Sequence, residues 1–236
     1  MKYAVIAAGE GSRLTKEGNT TPKPLIEVHG EMLVDRLLRI FEAQGASEVA
    51  IICNEQMTQV REHLMAVQQT CRLPLRLVVK STLSSMHSMW ELSPWLDDEP
   101  FVLTTVDTVF REEEFGAFVQ SFTGLLGTGE ADGLMGVTDY IDDEKPLYVS
   151  TDDDLWITAF LDHCDQPRYI SGGIYGLSPR TLTTLEHCVV SGERRMRNYQ
   201  RALLRDGYRL KAWPFSKVLD VDHVSDIQKA ETFLQG

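Results

Sequence analysis

Short apolar segments alternate with segments of helical periodicity along the first half of the chain, and this order restricts the fold more than any other feature. The segment Tyr3–Ala7 is apolar throughout, whereas apolar residues in Met32–Gln44 recur at positions 33, 34, 37, 38 and 41. The first pattern is typical of a buried strand and the second of an amphipathic helix. Strands joined by helices usually form a mainly parallel sheet with helices on both faces.

The same patterns divide the rest of the chain. Further strands are predicted at Glu48–Cys53, Leu75–Val79, Pro100–Val106, Gly133–Thr138, Leu147–Val149, Trp156–Leu161, Ile170–Leu177 and Leu210–Pro214. Further helices are predicted at Met57–Gln68, Ser85–Leu92, Glu112–Phe122, Pro179–Val190, Met196–Asp206 and Ser225–Leu234. Ser225 is the candidate N-cap of the last helix. We therefore predict an α/β fold with three layers, α/β/α, around a mainly parallel but mixed sheet.

Charge and composition exclude several classes of protein. The 236 residues carry a net charge of −12, whereas sequence-independent binding of nucleic acid needs a basic surface. No apolar run approaches the roughly 20 residues that span a bilayer, and the first apolar run is too short for a signal peptide. We expect a cytoplasmic monomer or homodimer that binds neither nucleic acid nor membranes. The cysteines lack metal-binding spacing and are expected to be buried free thiols: Cys53, Cys71, Cys164 and Cys188.

A glycine-rich turn, "AAGEGSRL" (Ala7–Leu14), follows the first predicted strand. Ligands of α/β proteins bind at the carboxyl ends of sheet strands, and Gly9 and Gly11 would let backbone N–H groups approach phosphate oxygens. The dinucleotide fingerprint is absent because Leu14 stands where its third glycine would be, and no Walker A lysine follows. By itself the turn indicates either phosphate binding or an ordinary strand-to-helix connection.

A second motif, "PKPL" (Pro22–Leu25), follows after a short polar loop. Together with the glycine-rich turn it closely resembles the N-terminal signature of sugar-phosphate nucleotidyltransferases and MobA-like NTP transferases, and the resemblance continues through Ala43–Asn54. It implies the GT-A-like, Rossmann-like fold of the nucleotide-diphospho-sugar transferases. It also implies that the turn wraps the phosphates of an NTP, with Arg13 and Lys23 as the catalytic cations. We expect both to be charges on surface loops.

The segment "STLSSMHSMWEL" (Ser81–Leu92) lies between the third predicted strand and the following helix. By the family resemblance Ser84 and Ser85 would contact the base and ribose, although a serine here can equally cap the helix. Lys80 is either a further phosphate contact or a surface lysine. The nucleotide-binding residues that the resemblance implies are Ala8, Gly9, Gly11, Ser12, Arg13, Lys23, Ser84 and Ser85.

Two aspartates far apart in the chain are the candidate metal ligands. Asp107 follows a predicted strand, where the resembling family has a Mg²⁺-binding aspartate. Asp222 lies in "SKVLDVDHVSDIQKAE" (Ser216–Glu231), which resembles the family segment that supplies the second ligand, and Asp220 is the alternative. Two carboxylates beside a triphosphate would repel it unless a hard divalent cation lay between them, so Mg²⁺ is the expected cofactor.

The sequence "SGGIYGLS" (Ser171–Ser178) resembles the acceptor-binding strand of the family. Gly172 and Gly173, with Tyr175 beside them, would contact the acceptor, and a β-bulge is the alternative reason for the glycines. Lys145 precedes Gly173 by 28 positions, which does not match the lysine motif of hexose-1-phosphate members. The sequence therefore favours an acceptor such as phosphocholine, another alcohol phosphate or an acidic sugar.

The resemblance predicts one NTP transferase domain over residues 1–236, with a nucleotide-binding half at about 1–125 and an acceptor-binding half at about 126–236. The implied reaction is Mg²⁺-dependent transfer of a nucleoside monophosphate from an NTP to a phosphorylated small molecule, with release of pyrophosphate. The alternatives are a molybdopterin-type nucleotidyltransferase, a catalytically inactive nucleotide-binding relative, and a GT-A glycosyltransferase. The last would normally show an Asp-x-Asp pair at Asp107, where this chain has Val-Asp-Thr.

Overall fold

The computed structural model describes residues 1–142 and 144–235. Asp143, the first residue of the segment Asp-Glu-Lys-Pro-Leu that contains Lys145, therefore lies outside the described residues. The strands are β1 (Lys2–Ala7), β2 (Glu27–Val28), β3 (Glu31–Met32), β4 (Glu48–Cys53), β5 (Leu75–Val79), β6 (Phe101–Thr105), β7 (Thr108–Val109), β8 (Gly133–Thr138), β9 (Tyr148–Thr151), β10 (Ile157–Leu161), β11 (Tyr169–Leu177), β12 (Leu210–Phe215) and β13 (Leu219–Asp220).

The α-helices alternate with these strands in the first half and lie between β11 and β12, or after β13, in the second half. They are α1 (Ser12–Lys16), α2 (Leu33–Ala43), α3 (Thr58–Thr70), α4 (Ser85–Leu92), α5 (Glu112–Thr128), α6 (Leu182–Val190), α7 (Met196–Arg205) and α8 (Val224–Gln235). Short 3-10 helices occur at Lys23–Leu25, Ser93–Trp95 and Pro179–Thr181. No helix of the described residues is long and apolar enough to cross a membrane.

A mixed central sheet runs in the order β5–β4–β1–β6–β11–β8–β12. Strands β5, β4, β1 and β6 are parallel to one another, and β12 is parallel to β8. Strand β11 runs antiparallel to both β6 and β8, and β9 and β10 extend the sheet beside its first two residues. The predicted mixed sheet between helical layers is confirmed, and it is parallel in the first half of the chain, where strands and helices alternate.

Alternate residues of β1 show why helices cover both faces of this sheet. Tyr3 and Val5 belong to a buried cluster with α2, α3 and α5, whereas Ala4 and Ile6 belong to one with α4, α6 and α7. Because neighbouring side chains of a strand point to opposite faces, a strand that is apolar throughout needs a cover on each side. This pattern explains why the sheet has a layer of helices on each of its two faces, as the predicted sandwich requires.

Close packing between the sheet and α5 depends on a glycine in β11. A Cβ added at Gly176 would lie 2.9 Å from ring atoms of Phe122, which is a fully buried residue of α5. Real side chains do not approach this closely, so Gly176 sets the distance between these two elements. The sequence analysis assigned the glycines of this strand only to acceptor binding or to a bulge and did not identify this packing role.

Three short elements that the sequence analysis did not predict lie together at one end of the molecule. They are helix α1, the β2–β3 hairpin and the β7–β13 ribbon, and all of them contribute to a small third core with α8. The hairpin turn His29–Gly30 has two positive φ angles, 54° and 74°, as a two-residue hairpin of type I′ requires. Elements of two to five residues give too little periodicity to be recognised from the sequence.

The start of the last helix differs from the prediction. Helix α8 begins at Val224, so Ser225 lies in its first turn and is not the N-cap. Asp226 supplies the cap instead, because its carboxylate accepts from the backbone N–H of His223 at 2.8 Å and of Asp222 at 3.2 Å. This interaction is the reciprocal half of a capping box, and it fixes the segment that carries Asp222.

Candidate active site

The β7–β13 ribbon brings two distant acidic segments side by side. Asp220 pairs with Thr108 in the antiparallel ribbon, although 112 residues separate them. The backbone N–H of Val221 donates to the carbonyl of Asp107 at 3.0 Å. The ribbon therefore holds the segment after β6 against the segment before α8 by main-chain hydrogen bonds, and it brings Asp107 and Asp222 close together.

Lys23 lies between the two predicted metal ligands. Its ammonium donates to the Asp107 carboxylate at 2.7 Å and to the Asp222 carboxylate at 2.6 Å. The residue is only 9% exposed, so the expectation that it is a charge on a surface loop is wrong. Burial disfavours the ammonium, but the attraction of Asp107 and Asp222 outweighs it and raises the pKa of Lys23 above its usual value. Lys23 therefore stays charged at any physiological pH.

Arg13 joins this cluster from helix α1. Its guanidinium donates to the second oxygen of Asp222 at 2.6 Å and lies 3.4 Å from Glu144. Its side chain is 44% exposed, so it is the solvent-facing cation of the cluster and Lys23 the enclosed one. The two cations predicted from the signature motifs thus meet on one carboxylate, Asp222.

A cavity of about 440 Å³ opens on one side of the cluster, and we call it the serine-lined cavity. It contains six of the predicted residues, which come from separate turns at the carboxyl ends of strands: Ala8, Gly9, Lys23, Ser84, Ser85 and Asp107. Gly11 and Ser12 do not line it. Gly11 precedes α1 with a φ of 62°, a left-handed conformation that favours glycine. The backbone conformation of the turn therefore accounts for the glycine at position 11.

Ser84 has the capping role that was the alternative to base contact. Its hydroxyl accepts from the backbone N–H of His87 at 3.4 Å and lies 2.9 Å from the His87 ring. Lys80 forms an ion pair with Glu91 at 2.7 Å and is half-exposed, as the surface alternative expected. A capping serine can still line a cavity, and Ser84 does so here.

Three further residues of the serine-lined cavity were not among the predicted contacts: Asn54, Thr82 and Thr105. Asn54 is buried; its amide is 3.5 Å from the Ala8 carbonyl, and its amide oxygen accepts from the Ser81 hydroxyl at 2.8 Å. It therefore links the glycine-rich turn to the loop before α4. Its position directly after β4 could have identified it as a candidate site residue, since ligand sites of α/β proteins form where parallel strands end.

A second cavity, of about 260 Å³, opens on the other side of Asp222. We call it the acidic cavity, because its lining includes five carboxylates: Asp142, Glu144, Asp220, Asp222 and Asp226. Of the three residues predicted to bind an acceptor, only Gly172 lines it. The basic side chains of its wall are Arg13 and Lys229, together with the ring of His223.

The two other acceptor candidates have structural roles. Gly173 has a φ of 70° at a register shift between Ser171 and Ile174, and a Cβ there would lie 3.1 Å from the Thr108 hydroxyl. This is the bulge that the sequence analysis gave as the alternative. Tyr175 is buried in the core, and burial raises the pKa of its phenol to about 12. The phenol is therefore neutral, and the ring packs in the buried core beside the strand.

Asp220 differs from the other carboxylates of the acidic cavity. Its side chain is exposed to the cavity and accepts from the Thr108 hydroxyl at 3.2 Å. The protein atoms crowded around it restrict its hydration, and together with the negative charges of Asp107 and Asp222 they raise the pKa of its carboxyl. Among the described residues no Lys, Arg or His nitrogen lies within 4 Å of it, so no cation contacts it directly.

The Asp107 and Asp222 carboxylates lie close enough to share one cation, since both contact the same ammonium. The described residues contain no group of three or more His, Cys, Asp or Glu side chains placed to enclose a metal. Mg²⁺ fits such a partial site, because it retains several waters and takes further oxygen ligands from phosphates. Asp107 and Asp222 could therefore hold it, and Asp220 does not share their cation.

Comparison with known proteins gives a family match and several relatives. A family model described as the MobA-like NTP transferase domain matches residues 3–206. The chain is 23% identical over 216 residues to the low-salt glycan biosynthesis nucleotidyltransferase Agl11 of Haloferax volcanii, covering 89% of this chain and 59% of the relative. It is 29% identical over 162 residues to the CMP-5'-(3-aminopropyl)phosphonate synthase of Streptomyces rubellomurinus, covering 61% of this chain and 25% of the relative.

Among solved structures, the inositol-1-phosphate CTP transferase from T. maritima superposes with a TM-score of 0.77 at 18% identity. The superposition covers 99% of this chain and 97% of the other. At this identity the likeness concerns the fold. The chain spans about 59% and 25% of the lengths of the two curated relatives, so their complete activities do not transfer with the alignment.

Proposed function

Since the chain belongs to the MobA-like NTP transferase domain family, we propose that it transfers a nucleoside monophosphate from an NTP to a phosphorylated small molecule. The acceptor would be a sugar phosphate, a phosphocholine-like compound or another alcohol phosphate, and pyrophosphate would leave. One observation carries the proposal: two cavities meet at a cluster of two carboxylates and two cations, Asp107, Asp222, Lys23 and Arg13. A cytoplasmic location is part of the proposal, because NTPs are available there.

The serine-lined cavity is the proposed site of the NTP. Backbone N–H groups of the turn at Ala8 and Gly9 suit phosphate oxygens, and the enclosed ammonium of Lys23 is a fixed positive charge beside them. Asp107 and Asp222 would hold Mg²⁺, which when bound supplies positive charge between the carboxylates and the phosphates. The acidic cavity, which shares Arg13 and Asp222 with this cluster, is the proposed site of the acceptor.

In the proposed reaction an oxygen of the acceptor phosphate forms a bond to the α-phosphorus of the NTP. The bond from the α-phosphorus to the bridging oxygen of the β-phosphate breaks, and pyrophosphate leaves with the electron pair. Arg13 and Lys23 stabilise the negative charge that accumulates on the departing group, and no protein nucleophile is required. Positioning and charge stabilisation supply the rate in such a transfer.

The names of the two curated relatives, a nucleotidyltransferase and a CMP-phosphonate synthase, support this class of reaction. They do not support an inactive nucleotide-binding protein. The retained pair of carboxylates favours turnover as well, because a protein that only binds a nucleotide has no need of two acidic groups beside its phosphates. We do not extend the acceptor of either relative to this chain.

The test is an array of the four common NTPs against phosphorylated acceptors in the presence of Mg²⁺, with pyrophosphate release as the readout. Choline phosphate, ethanolamine phosphate, glycerol phosphate and sugar 1-phosphates form the acceptor set. We expect one base and one acceptor class to give turnover that chelation of Mg²⁺ abolishes. Absence of pyrophosphate release in every combination, from protein that is folded and binds an NTP, would reject the proposal.

A further inference from the structure

The acidic cavity has an excess of negative charge that its own cations do not offset. Five carboxylates line it, against the two permanent cations Arg13 and Lys229. Four of the carboxylates already have partners: Asp222 contacts Lys23 and Arg13, Glu144 contacts Arg13, and Asp142 and Asp226 share Lys229 at 2.7 and 3.1 Å. Asp220 is the remaining one, and among the described residues it has no cation within 4 Å.

Asp220 is also fixed in place. Its backbone is held in the β7–β13 ribbon opposite Thr108, and its carboxylate accepts from the Thr108 hydroxyl at 3.2 Å. The Thr105 hydroxyl lies 2.6 Å from that of Thr108. Since Thr108 has one hydroxyl proton and gives it to Asp220, Thr105 donates to Thr108. An oriented chain of two hydroxyls thus positions a carboxylate that projects into the cavity, as a recognition group requires.

The geometry of the site places the Asp220 carboxylate near the end of the acceptor that lies away from its phosphate. The phosphate of an acceptor must lie near Arg13 and Lys23 to reach the NTP, and its other end must then extend into the acidic cavity. A volume of about 260 Å³ is just below the roughly 300–1,000 Å³ that is typical of ligand pockets. The acceptor is therefore a small molecule with a phosphate at one end and a group facing Asp220 at the other.

On the basis of the proposed function, we infer that this group is positively charged, so that the acceptor is a phosphorylated amine or quaternary ammonium compound whose cation contacts Asp220. A neutral polyol would satisfy the hydrogen bonds of the Asp220 carboxyl group but would not offset the negative charges of the acidic wall around it. A cation offsets those charges as well and favours the ionised form of Asp220, since opposite charges attract. The acidic wall also disfavours an acceptor that carries negative charge at its far end.

The test compares two acceptors that differ only in charge. Choline phosphate and 3,3-dimethylbutyl phosphate have the same shape, but the second has a neutral carbon in place of the ammonium nitrogen. With the NTP that gives the fastest pyrophosphate release, we expect kcat/KM to be about 10- to 100-fold higher for choline phosphate, the scale of a contact to a charged group. Ethanolamine phosphate and glucose 1-phosphate complete the series, and the amine should exceed the sugar.

Two variants test whether Asp220 causes the preference for the charged acceptor. Asp220→Asn should bring the ratio between the charged and neutral acceptors close to 1 by raising the KM for choline phosphate. Asp97→Asn is the matched control, because Asp97 is an exposed aspartate that precedes β6 at the other end of the sheet, and it should keep the wild-type ratio.

The outcomes separate this inference from the function on which it rests. Pyrophosphate release that is equal or faster with the neutral isostere or with glucose 1-phosphate would overturn the inference and leave the nucleotidyltransferase proposal intact. No release from any combination would overturn the proposed function, and the inference with it. Loss of turnover in Asp220→Asn with the neutral acceptor as well would show that Asp220 acts at the metal and would remove it as the group that recognises the cation.

Discussion

The Lys23 ammonium donates to the Asp222 carboxylate at 2.6 Å, although 199 residues separate them in the chain. The same ammonium contacts Asp107 at 2.7 Å. A single buried cation thus holds two carboxylates together, in the place where we propose that a divalent ion binds. Removing it leaves two close negative charges with only the exposed Arg13 beside them, which affects both the stability of the free protein and its response to metal.

Lys23→Ala should destabilise the free protein and increase its stabilisation by Mg²⁺. Losing one partner of a buried ion pair costs about 1–3 kcal/mol, here below the value for a fully buried pair because the Asp222 side chain is 35% exposed. The repelling carboxylates should then bind Mg²⁺ more tightly than in the wild type. Thermal unfolding with and without Mg²⁺ measures both effects. Lys16→Ala, at an exposed lysine of α1, is the control, and an equal Mg²⁺ response in all three proteins would contradict the shared site.

Arg13→Ala should impair turnover without loss of stability. The Arg13 side chain is 44% exposed, and substitutions of exposed residues usually change the free energy of unfolding by less than about 0.5 kcal/mol. Loss of a cation that stabilises the departing pyrophosphate should lower kcat/KM by roughly 10²–10³, the scale of one lost oxyanion donor, and Lys23→Ala should lower it by as much. Steady-state kinetics with saturating Mg²⁺ provide the measurement. Nearly normal turnover of Arg13→Ala would remove it from the catalytic group.

Asp107→Asn and Asp222→Asn should each lose most activity, because each keeps its shape but removes one charge from the proposed metal pair. The double variant should be little worse than either single variant, since one carboxylate alone already fails to hold the ion, and such effects are far from additive. Activity as a function of Mg²⁺ concentration is the measurement. Asp220→Asn is expected to retain Mg²⁺-dependent turnover; the reverse result, with Asp222→Asn active and Asp220→Asn inactive, would exchange the two assignments.

Glucose 1-phosphate should be a poor acceptor, with a kcat/KM at least about tenfold below that of the best acceptor. The sequence has no lysine at the position that the hexose-1-phosphate members use, and Lys229, which lines the acidic cavity, is already paired with Asp142 and Asp226. A tenfold difference corresponds to about 1.4 kcal/mol, less than one lost contact between a phosphate and a charged side chain. Competition between the two acceptors in one reaction, resolved by product analysis, measures it. Efficient use of glucose 1-phosphate would show that the missing lysine has no consequence.

Gly176→Ala should reduce the free energy of unfolding by about 1–3 kcal/mol, the usual cost of overpacking a core. The added methyl group would lie 2.9 Å from the buried Phe122 ring, close to its attachment point, where the ring cannot move aside. Gly124→Ala is the matched control: this glycine lies in helix α5 with no atom within 4 Å of an added Cβ, and alanine there should stabilise the helix by about 0.8–1 kcal/mol. Urea unfolding of both variants decides the question, and equal midpoints would refute the packing role.

The long elements of the fold were predictable because each carries its own periodicity. Strands Glu48–Cys53 and Leu75–Val79 and helix Ser85–Leu92 begin and end where the sequence analysis placed them. Helix α5 continues six residues beyond the predicted end at Phe122 and stops before Gly129, whose φ is 68°. The glycines at 124 and 127 interrupt the apolar pattern without ending the helix, since tertiary packing outweighs the propensity of single residues.

The sequence motifs gave the candidate residues of the site but not their contacts. The motifs selected Lys23, Asp107 and Asp222, and the structure brings these three side chains together. A motif contains no information on burial, however, and Lys23, expected on a surface loop, is buried. The β7–β13 ribbon could not be foreseen, because a pair of two-residue strands has no periodicity and its partners are 112 residues apart. Because the ribbon was not predicted, the sequence did not show that Asp220 is separate from Asp107 and Asp222, and it did not reveal the acidic cavity.

The ribbon also has a consequence for the order in which the protein acquires activity. A ribosome adds Asp220 112 residues after Thr108, and domains generally begin to fold from the N-terminal side during synthesis. The residues that line the serine-lined cavity end at Asp107, so all of them are synthesised well before Asp222. Under the proposed function, a chain that terminates before β13 would lack one of the two carboxylates proposed to hold Mg²⁺, and we expect it to bind a nucleotide without transferring it.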